Sequence, residues 1–245
     1  MILTAALVAA YMCGTSCHRP LKCKGLRVEI ADSAVNSFVS QADIRRYIEK
    51  EYGQYIGMAL DSIDLVRIED IIDGRSAVNN SEAYVTRDGM LNVKVTQRTP
   101  IVRFQKHDGG FYADAEGFLF PLQRSYSSRV HVIDGDIPLK ANSGYKGMVE
   151  DPKEKLWLGK VLDLVNFMEG SKIWKDKIVQ ITVSNGGELT LIPREGNEKF
   201  LFGQPVDIED KFRRMELYYS CIIPEKGTDF YKSVSLEFDG QIVCK

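Results

Sequence analysis

The sequence predicts an α+β protein in three parts. These are an N-terminal membrane-anchor helix at 1–20, a small β-α-α-β-β domain at 24–104, and a mostly antiparallel β domain with flanking helices at 105–245. Three observations predict this arrangement. The first 17 of the 245 residues carry no charge, and the remainder alternates stretches of period-two hydrophobicity with stretches of helical period. The composition, 44% hydrophobic and 27% charged, is that of a globular chain long enough to bury a substantial core.

The uncharged segment Met1–Cys17 admits three interpretations. As a helix it would span about 25 Å, slightly less than a hydrocarbon core of about 30 Å. No basic residue precedes it, whereas Arg19, Lys22 and Lys24 follow it, which reverses the charge order of an anchor that exports its C-terminus. We expect an anchor whose cytoplasmic start lies upstream of this sequence. A cleaved or lipidated signal and an ordinary buried helix are the alternatives.

The first domain is predicted to start with a half-buried strand, because residues 26–30 alternate apolar and polar side chains. Ser40 is expected to cap the first helix, with Asp43 as its capping-box partner three residues later. A second helix is expected to begin near Asp64 and to stop at Gly74. Two helices on one face of a three-stranded sheet can close a small core.

A hairpin is predicted to complete this domain. The Asp88–Gly89 pair is a strong turn signal, and residues 91–96 after it alternate apolar and polar side chains. Pro100 is expected to end the strand, because proline cannot donate to a ladder.

The second domain is predicted to open on another hairpin, with aromatic-rich arms around the turn at 114–117. The Asp151–Pro152 pair places an N-cap and a first-turn proline at the start of a long helix. The other expected elements are strands at 130–133, 178–183, 189–192 and 199–202, a helix after Pro205, and closing strands around 234–238 and 242–244.

The motifs of common enzymes are missing from the sequence. The histidines His18, His107 and His131 form no metal-binding spacing, and no nucleophile elbow, phosphate loop or dinucleotide fingerprint occurs. Asp114 and Glu116 are interpreted as turn residues rather than as an acid–base pair. We therefore expect no enzymatic activity, cofactor or metal. The net charge of −2 and the lack of a basic cluster argue against a nucleic-acid partner.

Cysteines near both ends of the predicted soluble part raise the question of a disulfide. A bond between Cys23 and Cys244 would be chemically sensible in an oxidising compartment, and free or buried thiols are the alternative. Cys13, Cys17, His18 and Cys23 match no standard zinc spacing.

Several ordered motifs resemble a known family. Residues 88–101, and most specifically the Gln-Arg-Thr-Pro-Ile run at 97–101, resemble the end of the extracytoplasmic POTRA domain of the bacterial cell-division family FtsQ/DivIB. The run Tyr112-x-Asp114-x-x-Gly117-x-x-x-Pro121-Leu122 resembles the opening hairpin of that family's β domain. The order of strand, two helices and hairpin is also the POTRA order. Gly203, Lys211 and the apolar helix after Pro205 match the family as well, and the resemblance covers residues 24–245.

The resemblance implies a non-catalytic divisome protein. It would pass once through the cytoplasmic (inner) membrane, place its soluble part in the periplasm, and act at the division septum. The family's POTRA domain is associated with recruitment to that site, where the protein helps to bring in the machinery of septal wall synthesis. The last strands of its β domain are associated with binding the partners FtsB and FtsL.

Strand addition to an exposed sheet edge is the expected binding mode. Phe238 matches the aromatic position of the family's partner-binding strand, and Gly240 would let another backbone approach closely. The alternative is that Val234, Leu236 and Phe238 simply face the core. The predicted partner-binding residues are Tyr231, Ser233, Val234, Ser235, Leu236, Phe238, Gly240, Gln241 and Ile242.

A different function is the main alternative. POTRA-like domains also occur in outer-membrane assembly and secretion systems, where they handle unfolded substrate strands in a chaperone-like way. Those proteins usually carry several copies of the domain, whereas this sequence shows one. An envelope enzyme is disfavoured by the missing catalytic motifs.

Overall fold

The computed structural model describes residues 21–34, 36–107, 109–124, 126–184 and 186–245. The predicted anchor at 1–20 lies outside these described residues. Within the described ranges, no helix is both long and apolar enough to cross a membrane. The chain divides into two compact units, with the boundary between Gln97 and Arg98.

The first unit is a three-stranded sheet with two helices, in the predicted β-α-α-β-β order. The sheet order is β1-β3-β2, with β1 parallel and β2 antiparallel to β3. The elements are β1 (Gly25–Ile30), α1 (Gln41–Glu51), a 3₁₀ turn (Leu60–Ser62), α2 (Leu65–Asp73), β2 (Val78–Val85) and β3 (Met90–Gln97).

The helix starts of the first unit are confirmed. The Ser40 side chain accepts from the Asp43 N–H while the Asp43 carboxylate accepts from the Ser40 N–H, which is a complete capping box. The Asp64 side chain caps α2 by accepting from the Arg67 N–H, and Gly74 is the C-cap of that helix. The core of this unit is formed mainly by Leu26, Val28, Ile44, Ile48, Ile68, Ile72, Leu91, Val93 and Val95.

The second unit is built on a ten-stranded sheet whose order is β13-β12-β11-β10-β9-β7-β4-β5-β6-β8. Six of its strand pairings are antiparallel and three are parallel, so the α+β class and the mostly antiparallel sheet are confirmed. The elements are β4 (Pro100–Lys106), β5 (Gly109–Asp114), β6 (Phe118–Pro121), β7 (His131–Gly135), β8 (Gly147–Met148), α3 (Pro152–Gly170), β9 (Ile178–Val183), β10 (Leu189–Pro193), β11 (Lys199–Gly203), α4 (Ile208–Leu217), a π-helical turn (Tyr218–Ile222), α5 (Ile223–Lys226), β12 (Ser233–Ser235) and β13 (Val243–Cys244).

The strand before Pro100 ends at Gln97, as expected, but Pro100 itself begins the next strand, which the sequence did not predict. It is the first residue of β4, a position where the missing N–H costs little, and it pairs with Asp114 of β5. The sequence assigned residues 24–104 to the first domain. Residues 100–104 lie instead in β4, a strand of the second unit's sheet.

Aromatic side chains fix α4 beside β11, near one end of the large sheet. The Phe212 ring lies 4.9 Å from the Phe167 ring of α3, 5.0 Å from the Trp174 ring and 5.6 Å from the Phe202 ring of β11, measured between centroids. Phe212 and Met215 are fully buried. This packing places α4 against the part of the sheet that carries the C-terminal strands.

Candidate partner-binding edge

β13, the last strand in the chain, forms one edge of the large sheet. β12 lies between β11, to which it is parallel, and β13, to which it is antiparallel. The strand that the sequence nominated for partner binding is thus an interior strand with both sides occupied. A partner strand at this end of the sheet would have to pair with β13.

One side of β13 presents its backbone to the open edge. Ser233 and Lys245 exchange both of their backbone hydrogen bonds, at 3.1 and 2.9 Å. The next pair along, Val234 and Cys244, is therefore a non-hydrogen-bonded pair, because the two kinds of pair alternate in an antiparallel ladder. The N–H and C=O of Cys244 consequently point away from β12, and within the described chain no strand pairs with them.

The side chains of the nominated strand divide between core and surface. Val234 and Leu236 are fully buried in the core, as the alternative interpretation held. Ser235 is also buried, and its hydroxyl donates to Glu237 Oε2 at 2.7 Å. Phe238 is 55% exposed, so an aromatic surface is available beside the edge.

The remaining nominated residues lie on or near the surface. Tyr231 and Ile242 are half-buried against the core, Ser233 is also half-buried, and Gln241 is exposed. Gly240 has a φ of +63° in the turn between β12 and β13, and nothing lies within 4 Å of where a Cβ would be. Its glycine is explained by the left-handed turn rather than by a close backbone neighbour in this structure.

Two buried cations of α4 hold backbone carbonyls near this edge. Lys211 Nζ donates to the carbonyls of Phe202 and Gln204 at 2.7 and 2.8 Å, and burial lowers the pKa of Lys211. Arg214, 4% exposed, donates from one guanidinium nitrogen to the carbonyls of Phe238 and Gln241.

Sequence reasoning noted Lys211 only through the family resemblance and missed Arg214. A usable signal was present. Both residues lie at helical spacing on the face of α4 that carries Phe212 and Met215, and basic residues on an apolar face need buried partners.

The opposite edge of the same sheet is formed by the two-residue strand β8. The Tyr145 hydroxyl donates to the Met148 carbonyl at 2.6 Å, so one acceptor of that strand is already used.

Cys23 and Cys244 are both free thiols in this structure, and a disulfide between them stays a prediction. Cys23 is 2% exposed because it is enclosed by the core of the first unit. Cys244 is half-buried in the second unit, and burial raises the pKa of its thiol. Cys13, Cys17 and His18 lie outside the described residues.

Comparison with known proteins gives two family matches. A family model described as "FtsQ/DivIB, C-terminal related" matches residues 99–245, and one described as a POTRA-like domain matches residues 21–96. No curated protein matches the chain significantly.

The fold and these matches together define the class of protein: an α+β chain in which a POTRA-like domain precedes an FtsQ-type β domain. Because the first match covers more than half of the chain, the chain belongs to the FtsQ/DivIB family of cell-division proteins. Its domains are those of a division scaffold, and the family implies a membrane-associated protein of the division site.

Proposed function

We propose that this protein is a non-catalytic scaffold of the divisome that binds partners of the FtsB and FtsL type. It helps to recruit the machinery of septal wall synthesis, passes once through the cytoplasmic membrane, and holds residues from about 24 onward in the periplasm. Membership of the FtsQ/DivIB family supports this proposal.

The open backbone of β13 is the observation that carries the binding mode. A partner strand can pair with the N–H and C=O of Cys244 without displacing any bond of the β12–β13 ladder. The exposed ring of Phe238 lies in the turn that leads into this strand and supplies an apolar contact. The docking residues proposed here therefore extend the nominated set to Val243, Cys244 and Lys245.

A proline at position 244 tests the backbone part of this proposal. Cys244→Pro removes the outward N–H, and the ladder to β12 does not use that group, so the sheet should persist. The partner strand would lose one backbone hydrogen bond and would meet the proline ring in its place. We expect this to weaken binding about tenfold or more. Binding is measured by calorimetry with the purified periplasmic segment of the FtsB-type protein of the same organism.

Cys244→Ala is the matched control, because it removes the thiol and keeps the N–H. We expect alanine to leave the affinity within a few-fold of the parent chain. Equal affinities of the proline and alanine variants would show that the partner does not pair with β13.

Photo-cross-linking in cells locates the edge independently. A cross-linking residue at Phe238 or Lys245 should capture the FtsB-type protein, identified by mass spectrometry. The same residue at Met148, 44% exposed on the opposite edge, should not. Capture of that protein from Met148 alone would contradict the proposal.

A further inference from the structure

We infer that Arg214 is a positioning residue: from helix α4 it binds the turn between β12 and β13, and so holds the edge strand β13 in place. This inference rests on the proposed function, in which β13 receives a partner strand. It adds that the position of β13 depends on a single buried side chain of α4, as well as on the sheet. The segment concerned is the C-terminal hairpin, defined as residues 233–245.

The contacts of Arg214 close the turn of this hairpin. The same guanidinium nitrogen donates to Phe238 O and to Gln241 O, both at 2.7 Å. The turn's own backbone bond, from Gln241 N–H to Phe238 O, is longer at 3.3 Å. The arginine therefore supplies the shorter, charge-assisted bonds at both ends of the turn.

The arginine is itself held rigidly. It is 4% exposed, and its Nε lies 2.8 Å from Asp210 Oδ2, one helical turn earlier. A guanidinium keeps its charge in proteins, so a buried one must be satisfied by acceptors. Two carbonyls accept from one terminal nitrogen, and the Asp210 carboxylate forms an ion pair with Nε, although that nitrogen makes no well-formed hydrogen bond. The packing of Phe212 and Met215 fixes the helix from which the side chain projects.

Apart from Arg214, the contacts that hold the hairpin are more extensive at β12 than at β13. β12 is secured by the fully buried Val234 and Leu236 and by its pairing with β11. β13 contributes two strand residues, both half-buried, and its ladder ends at Lys245. Loss of the Arg214 bonds should therefore free residues from about 237 onward while β12 stays in the sheet.

Arg214→Met, compared with Arg213→Met, tests the inference. Arg213 is the adjacent residue, pairs with the same Asp210, and is exposed at the surface. Hydrogen exchange of the full chain, purified in detergent, is followed by mass spectrometry. We expect Arg214→Met to raise exchange at least tenfold in peptides covering 237–245 and to leave peptides of β9 and β10 protected. Arg213→Met should match the parent chain.

The affinity for the FtsB-type periplasmic segment is measured on the same variants. We expect at least a tenfold loss for Arg214→Met and no more than a twofold change for Arg213→Met. If the parent chain does not bind that segment while exchange behaves as expected, the proposed function fails and the structural role of Arg214 stands. If exchange rises and affinity does not fall, the positioning role is overturned.

Arg214→Gln covers the case in which the methionine variant does not fold. It retains an N–H donor, and we expect a smaller rise in exchange confined to the same segment. Parent-like exchange at 237–245 in both variants, or lost protection throughout the second unit in both, overturns the inference.

Discussion

Buried ionisable side chains in the second unit have different partners, and the partners decide what each group can do. The Lys211 ammonium and one terminal nitrogen of Arg214 donate to backbone carbonyls, so their charges serve to hold strands and turns in position. His131 is buried to a similar extent, 8% exposed, but its Nε2 lies 3.3 Å from Glu169 Oε1 without a well-formed hydrogen bond. It lies in a cleft of about 430 Å³ that Lys175 and Arg194 also line.

Burial lowers the pKa of His131, and the charges around it act in both directions. The Glu169 and Asp176 carboxylates favour the protonated ring, whereas the Lys175 ammonium disfavours it. Because the folded pKa lies below the unfolded value of about 6.5, the unfolded chain binds more protons in the interval between the two. Stability of the second unit should therefore fall as the pH drops through that interval.

His131→Gln should make the free energy of unfolding less dependent on pH. We expect the parent chain to lose more stability between pH 7.5 and 5.5 than this variant, because the glutamine has no buried site to protonate. Urea unfolding at the two pH values measures the difference. His107→Gln, at an exposed histidine, is the control and should keep the parental slope. Equal slopes for all three chains would contradict the assignment.

At the scale of elements, the structure distinguishes guarded sheet edges from an open one. The N–H of Ala83, on the outer side of β2, donates to Glu69 Oε1 of α2 at 2.7 Å. At β8, Met148 O accepts from Tyr145. Edge groups that already have a hydrogen-bond partner hinder pairing with other chains. Among the described residues, no strand or side chain bonds to the outward-facing N–H and C=O of Cys244.

Gly135 shows how the parallel pairing of β7 and β9 depends on one missing side chain. Its φ is +93°, and a Cβ there would lie 2.2 Å from Val183 O. Gly135→Ala should lower the free energy of unfolding by about 2–5 kcal/mol, because backbone strain and overlap with β9 add together. Chemical denaturation of the full chain measures the change.

Gly186 is the matched control for that substitution. Its φ of +96° imposes nearly the same strain, but nothing lies within 4 Å of the point that a Cβ would occupy. We expect Gly186→Ala to cost only about 1–2 kcal/mol. Similar losses for the two variants would mean that the contact with Val183 does not matter.

At the scale of the whole molecule, each of the two units has its own hydrophobic core. We propose that these units are domains that fold separately, with the division between Gln97 and Arg98. Fragments 21–97 and 98–245, expressed alone, should each unfold in one cooperative transition in urea. Circular dichroism and tryptophan fluorescence measure the second fragment, and circular dichroism alone the first. Absence of a cooperative transition in either fragment would contradict this division.

The sequence by itself determined the elements whose signals are local. The Ser40 capping box, the stop at Gly74, the Asp88–Gly89 turn and the Asp151–Pro152 helix start all depend on residues a few positions apart. The hydrogen bonds of these elements join residues only a few positions apart, so the residue types are sufficient to predict the elements. The resemblance to the FtsQ/DivIB family, carried by ordered motifs, is likewise confirmed.

Only the tertiary structure decided which strand forms the open edge and what holds it. The order of strands in a sheet depends on contacts between distant segments, and so the final strand at Val243–Cys244, rather than the run around Val234, lies outermost. Arg214 finds its acceptors at Phe238 and Gln241, 24 and 27 residues further along the chain. No periodicity encodes such a pairing, because it exists only after α4 and the C-terminal hairpin have packed together.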